Sequence, residues 1–237
     1  MSTYVYAIAG VGHPLRLDGV RGVGEPAREI RVLGAGPLGV VASDAPDGLR
    51  AKRRDLLAHQ RVLDRLLEDG TVLPMRFGLV AADDEAVVAA IAGGSEGYAE
   101  RLAEIDGCRE YNVKVTRSED DLLRQVIEEV PEARRLNDLT RAHPADHGQK
   151  MALGEILAGE VRARQDHDAR EILAHLAPCA VRHSEGEPTG SCFLSTSFLV
   201  SRDQAPAFVQ AVQEEAERRD DFYSFKLNGP LPPYSFV

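Results

Sequence analysis

Seven histidines, three cysteines and thirty-eight acidic side chains give this 237-residue chain material for acid–base, nucleophilic or metal chemistry, and their spacing decides whether any of it can be used. His143 and His147 stand four apart, the interval of a helical zinc pair. Pro144 between them biases His143 away from helix, and no third ligand follows at a matching distance, so they read as a surface loop pair. Asp166-His167-Asp168 has a catalytic composition, yet successive helical residues point about 100° apart, so the three diverge on what reads as a solvated helix face. No G-x-S-x-G elbow occurs, and Gly190-Ser191-Cys192 lacks the context that exposes and activates a serine or thiolate; Cys192 reads as core. The runs Asp83-Asp84-Glu85, Glu119-Asp120-Asp121 and Glu214-Glu215 fall in helical first turns or on polar faces, where they complement helix dipoles. The residues therefore assign no catalytic group, no metal site and no cofactor.

Gly34-Ala35-Gly36-Pro37-Leu38-Gly39 matches G-x-G-x-x-G, but a phosphate must sit on free amides at a helix N-terminus, and Val40 to Pro46 is a β-like run ended by proline. A hairpin turn is the reading. His59 falls on the apolar stripe of its helix, between Leu56 and Leu63, and reads as a satisfied, partly buried histidine. Two segments exceed what a generic fold requires. Leu73-Pro74-Met75-Arg76-Phe77-Gly78 places a proline, a cation, an aromatic and a glycine together in a β-like setting, either as core, ion pair and close backbone approach or as a functional contact. Gly229-Pro230-Leu231-Pro232-Pro233-Tyr234-Ser235-Phe236 is pre-extended by three prolines, which lowers the entropy lost when Tyr234 and Phe236 dock, either onto the protein itself or onto a partner.

The elements that must position these residues follow from periodicity. Thr3 to Ala9 alternates as a strand with Tyr4, Tyr6 and Ile8 on one side and Val5, Ala7 and Ala9 on the other. Glu29–Leu33 and Leu38–Ser43 form a hairpin. Leu49 to Glu68 is an amphipathic helix with Leu56, Leu63, Leu66 and Leu67 on its stripe and Gly70 at its stop. Thr71 to Val80 reads as one strand in which Pro74 occupies an edge or a bulge, and a second helix from Asp83 is interrupted at Gly93-Gly94. The order to this point is βββαβα. After Gly107 comes a strand through Tyr111, Val113 and Val115, a helix from Ser118 that Pro131 ends or bends, a polar stretch from Asn137 to His147, and a long helix to Leu176. A strand pair, a helix from Asp203 and a final strand complete βααββαβ, a split βαβ plan with an extra helix. The expectation is an α+β protein of two domains: residues 1–106 as an N-terminal α+β domain, and residues 107–237 as a C-terminal ferredoxin-like domain with a Pro-rich tail.

Composition narrows the function classes. With 28 Lys and Arg against 38 Asp and Glu, the net charge of −10 presents a repulsive mean field to a polyanion, which argues against a nucleic-acid partner, including RNA on a ferredoxin-like sheet. No segment approaches the ~20 apolar residues that span a bilayer. Cys108, Cys179 and Cys192 are odd in number and lack a CxxC spacing, as small hydrophobes in a reducing compartment would be, and the strand-like N-terminus does not resemble a secretory signal. A cytoplasmic protein is expected.

The Tyr4-Val5-Tyr6 opening, His59 one helix ahead of Leu73 to Gly78, the Gly107–Val115 strand with Glu110 and Lys114, and the closing Gly229 to Phe236 together resemble the gas vesicle protein F and L family, over nearly the whole chain. The sequence departs from that pattern at Leu231 and Tyr111, where tryptophan is common. The resemblance implies a vesicle-associated accessory protein of vesicle assembly, not an enzyme. Its partners would be the small amphipathic shell protein and other accessory proteins of the vesicle. The candidate partner-binding residues are His59, Pro74, Arg76, Phe77, Gly78, Glu110, Lys114, Pro232, Pro233, Tyr234 and Phe236. The competing expectation is a ferredoxin-like enzyme or small-molecule sensor in which His59, Arg76 and Glu110 converge on a cleft between the domains.

Overall fold

The computed structural model describes every residue from Met1 to Val237, and the chain divides into two units: Met1–Glu110 with Gly229–Val237, and Tyr111–Asn228. The first unit is built on β1 (Thr3–Gly10), β2 (Ile30–Ala35), β3 (Leu38–Asp44), β4 (Val72–Pro74) and β5 (Val80–Ala81), with helices α1 (Arg53–Asp69), α2 (Asp84–Gly93) and α3 (Ser95–Glu104). The strand order is β2-β3-β1-β4, with β5 also on β1, and every pairing is antiparallel. The β2–β3 hairpin closes on Gly36-Pro37, where Gly36 takes φ +64°, a left-handed conformation that a β-carbon would strain. The glycine-rich motif is thus a turn between strands.

β1 is buried along nearly its whole length, so its side chains must be covered on both faces. Its alternation does not follow the simple period. The register jumps from Val5 opposite Ala42 to Ala7 opposite Val41, which leaves Tyr6 as an extra residue. This bulge reverses the phase: Ala7 and Ala9 join Tyr4 and Tyr6 in the core beneath α1, and Ile8 leaves it. α1 presents Asp55, His59, Val62, Leu63, Leu66 and Leu67 inward, so Leu63, Leu66 and Leu67 keep their expected places, while Leu56 is 42% exposed and Asp55 takes the inward position in the first turn. Each buried aliphatic contributes about 1.5–3 kcal/mol, more than the fractions of a kcal/mol that separate helix propensities. Packing, not propensity, fixes the helix. Its last turn is held by His13, whose Nδ1 accepts from the Leu15 amide at 3.0 Å, so that Nε2 carries the proton and donates to the Leu66 carbonyl at 3.0 Å. A β-carbon on Gly70 would lie 2.7 Å from that ring.

The expected single strand from Thr71 to Val80 is instead two short strands, because the chain leaves the sheet after Pro74 and re-enters at Val80. Gly78, at φ +95°, makes the return possible.

The second unit has the sheet order β7-β8-β6-β9, from β6 (Cys108–Arg117), β7 (Arg182–Glu185), β8 (Cys192–Ser201) and β9 (Tyr223–Leu231). Its helices are α4 (Glu119–Glu129), α5 (Pro131–Ala142), α6 (His147–Leu176) and α7 (Ala205–Glu217). Tyr111, Val113 and Val115 of β6 meet Phe198 and Val200 of β8, Ile172 and Leu176 of α6, and Phe208 and Val212 of α7. α5 corrects the sequence reading: Pro131 does not merely end α4 but occupies the first turn of a new helix, where its missing N–H costs nothing. The polar stretch from Asn137 is therefore helical up to Ala142. The expected division at residues 106 and 107 also differs, since the units part within β6 after Glu110 and the tail from Gly229 belongs with the first. No helix of the chain is long and apolar enough to cross a membrane.

Asp168 also departs from the expected solvated face. Asp166 and His167 face solvent, but Asp168 is 7% exposed and receives Arg117 at 3.0 Å, Arg219 at 3.3 Å and the Tyr223 hydroxyl at 2.7 Å. Burial and the adjacent carboxylate push the Tyr223 phenol up to about 12, so it remains a donor. Replacing Asp168 with Ala would leave two shielded guanidinium groups without their shared anion. The expected loss is about 3–5 kcal/mol in urea unfolding, whereas a loss under ~1 kcal/mol would mean that the arginines are hydrated.

Candidate functional site

The two unusual segments meet in the first unit, around His59. α1 delivers the imidazole into the core at 3% exposure, where an unpaired ring nitrogen would be costly. Its Nε2 lies 3.0 Å from the Met75 carbonyl, which can only accept, so Nε2 carries the proton. Nδ1 is then the acceptor and takes the Tyr4 hydroxyl proton at 2.8 Å, while the Tyr4 oxygen accepts from the Gly78 amide at 3.3 Å. The Tyr234 hydroxyl stands 3.3 Å from the same Nε2 as a second, longer partner. One neutral ring thus joins α1, β1, the Met75–Gly78 loop and the tail. Tyr6 stacks on it at 5.5 Å, and Phe77 closes the far side, 5.8 Å from His59 and 5.9 Å from Tyr4. The Tyr6 hydroxyl contacts Ser43 Oγ at 3.0 Å and accepts from the Val23 amide at 2.8 Å, and its carbonyl accepts from the Met75 amide at 2.8 Å.

The tail is fastened a second time by Glu110. Its carboxylate is 5% exposed and grips one residue, accepting from the Ser235 amide at 2.8 Å and the Ser235 hydroxyl at 2.7 Å. Pro232, Pro233 and Phe236 are buried, and a short 3-10 turn over Tyr234–Phe236 ends the chain. The tail docks onto the protein itself.

The candidate residues therefore separate. His59, Pro74, Glu110, Pro232, Pro233 and Phe236 are buried, Phe77 and Tyr234 are half-buried, and Arg76 and Gly78 are exposed. Lys114 is exposed on β6 in the second unit. The convergence of His59, Arg76 and Glu110 is not found: no hydrogen bond joins them, and the cavity that Arg76 lines includes neither of the others. That cavity is a groove of about 330 Å3 between the Leu73–Arg76 segment, α3 and the tail, with Leu79, Tyr98, Arg101 and Tyr234 in its wall. Leu79 and Val80 beside it are 47% and 44% exposed. Periodicity puts Tyr98 on the helical pattern with Leu102 and Ile105 but singles out neither Arg101 nor Leu79; Tyr4 and Tyr6 were foreseeable, since a tyrosine on a buried strand needs a hydroxyl partner. No group of three or more His, Cys, Asp or Glu side chains is placed to hold a metal ion.

Burial holds the His59 imidazole below its ordinary value of 6.5, against the smaller opposing effect of the Met75 carbonyl, and burial lowers His13 likewise. The folded protein thus binds these protons less tightly than the unfolded chain. Stability that is fully present above pH 6.5 is lost as the pH falls below it. Urea unfolding between about pH 7.5 and about pH 5 should show this decline, and His59→Gln should flatten it while lowering stability at both ends; an unchanged slope would remove His59 as a source. For the tail, Glu110→Ala should cost about 1–3 kcal/mol and raise amide exchange at Tyr234 to Val237. Tyr234→Phe, losing only a 3.3 Å contact, should cost less than ~1 kcal/mol.

Comparison with known proteins assigns the whole arrangement. A family model described as gas vesicle synthesis protein GvpL/GvpF matches residues 2–237. Gas vesicle protein F of a Streptomyces species is 43% identical over 238 residues, covering 100% of both chains, and that of a Nostoc species is 24% identical, covering 79% of this chain and 78% of the relative. The crystal structure of GvpF from Anabaena superposes with a TM-score of 0.86 at 22% identity, over 99% of this chain and 97% of that one. The crystal structure of GvpF from Microcystis aeruginosa gives 0.82 at 24% identity, over 99% and 98%. These two likenesses establish the fold. The chain belongs to the GvpL/GvpF family of gas vesicle synthesis proteins.

Proposed function

We propose that the protein is a non-enzymatic accessory factor of gas vesicle assembly, working in the cytoplasm and at the vesicle, and that it holds the small shell protein, together with other accessory proteins, before incorporation into the wall. The observation that carries this reading is the groove of about 330 Å3 beside Arg76, with Leu79 and Val80 exposed at its border. A shell subunit presents apolar surface until it is built in, and such a groove can cover an apolar segment of it. Arg76 and Arg101 would select an acidic neighbour on that segment, since no carboxylate of this chain pairs with either. In this reading Pro74 and Tyr234 touch the partner, while His59, Phe77, Gly78, Glu110, Pro232, Pro233 and Phe236 hold the groove's wall in place. Lys114, in the second unit, would contact other accessory proteins. The second unit is read as ferredoxin-like: its sheet order β7-β8-β6-β9 and its β6, β7, β8, α7, β9 succession support that plan, with α4–α6 in place of one crossover helix.

Co-expression with the shell protein, followed by affinity capture, tests the proposal. Leu79→Asp with Arg76→Glu should weaken capture at least about tenfold without changing the unfolding midpoint. Val32→Asp, on the opposite edge strand β2, should leave capture unchanged. Equal capture by both variants, with normal vesicles in a deletion strain, would overturn it.

A further inference from the structure

Strands β6 and β9 are neighbours in the sheet of the second unit, and the end of one meets the start of the other: the Ser118 amide, just past β6, donates to the Phe222 carbonyl, just before β9, at 2.9 Å. The two strands therefore run in opposite directions, and counting back from that bond gives their register. Arg117 falls opposite Tyr223, and its guanidinium lies 4.8 Å from the centre of that ring. At the far end Arg109 falls opposite Leu231, and both line one cavity. The same count sets Val115 against Phe225 and Val113 against Leu227, all on the core side. The alternate residues occupy the other face: Thr116 with Ser224, Lys114 with Lys226, and Asn112 with Asn228.

That register places two lysines directly opposite each other, in a chain that has only four. Like charges so opposed weaken a strand pair, and nothing in the fold relieves them. Both side chains are exposed, and neither reaches a carboxylate or any other acceptor. The residues around them are neutral amides and hydroxyls. Asn112 donates to Ser197 of β8 at 3.3 Å, and the nearest acid on that face of β6, Glu110, is engaged by Ser235. On a molecule of net charge −10, this face carries positive charge without a counter-charge of its own. One lysine on an edge strand such as β9 suffices to deter sheet extension, so that role leaves the second, on the interior strand β6, unexplained.

We propose that the Lys114–Lys226 pair is the docking point for an acidic segment of a partner protein, whose carboxylates sit between the two ammonium groups while the flanking Asn, Ser and Thr side chains hydrogen-bond its backbone. The inference rests on the reading that Lys114 contacts other accessory proteins, and it adds the chemistry they must present. Fluorescence anisotropy of the full chain with a labelled polyglutamate decapeptide, against polyglutamine and at stepped ionic strength, tests it. Polyglutamate should bind saturably and more weakly as salt rises, and Lys114→Gln with Lys226→Gln should lower affinity at least about tenfold. Lys226→Glu discriminates further. It turns a repulsive pair into an ion pair, so it should raise the unfolding midpoint by about 1–3 °C while abolishing peptide binding. Zero-length carbodiimide coupling in vesicle-forming cells should join Lys114 or Lys226 Nζ by amide bonds to Asp or Glu carboxyls of another accessory protein. Unchanged affinity in the double variant, equal binding of polyglutamine, tighter binding of an RNA oligonucleotide, or native affinity in Lys226→Glu would each overturn the proposal. Cross-links through Lys114 alone, with both Lys226 variants unimpaired, would overturn it while leaving the accessory-protein contact in place; peptide binding without a cross-link to any accessory protein would instead uphold the acidic-segment site and overturn that contact.

Discussion

A histidine sealed into an apolar interior has to satisfy two ring nitrogens without taking up charge, and much of the first unit is arranged around that requirement. His59 meets it with one donor bond to the Met75 carbonyl and one acceptor bond from Tyr4, and each partner commits a different piece of chain. The first places the loop between β4 and β5. The second orients the Tyr4 ring, whose oxygen then anchors the Gly78 amide and so the return of that loop. An unsatisfied buried polar group costs about 1–3 kcal/mol, a sizeable share of the 5–15 kcal/mol by which a domain is stable. The loop, the strand and the ring therefore have few independent alternatives. Prolines in the tail lower the entropy cost of adding the last segment, and Glu110 supplies the hydrogen bonds that hold it.

The second unit solves a similar problem with charge. Asp168 is buried among Arg117, Arg219 and Tyr223, and Glu215, 2% exposed, accepts from Arg219 at 3.0 Å and Arg218 at 3.1 Å. Taking ions out of water is expensive, and such a network repays the cost only when each charge is matched and hydrogen-bonded. It connects β6, α6, α7 and β9 at one end of an otherwise apolar core built on Phe198, Phe208, Ile172 and Leu176. The contrast with His59 is instructive: one unit excludes charge from its brace, and the other confines it.

These interior commitments reverse the expected division of labour at the surface. Residues with the most chemical character, His59 and Glu110, are engaged within the fold. What faces solvent is a mostly apolar groove flanked by arginines. The groove lies on a chain that belongs to a family named for vesicle synthesis.

Much of this was legible beforehand, and for definite reasons. Period-two and period-3.6 patterns located β1, the β2–β3 hairpin, α1, the break between α2 and α3 at Gly93-Gly94, and the helix α7, because each buries a face whose spacing the backbone dictates. Three things were not. The bulge at Tyr6 depends on the partner strand's register, the inward turn of Asp168 depends on arginines fifty-one residues away in either direction, and the docking of the tail depends on Glu110 and His59 being brought to it. The amino-acid sequence alone determined most of the strands and helices, because local periodicity is a property of neighbours. Only the tertiary structure decided which polar side chains face inward, because a buried donor or acceptor is fixed by partners that lie far along the chain and meet it only once it is folded.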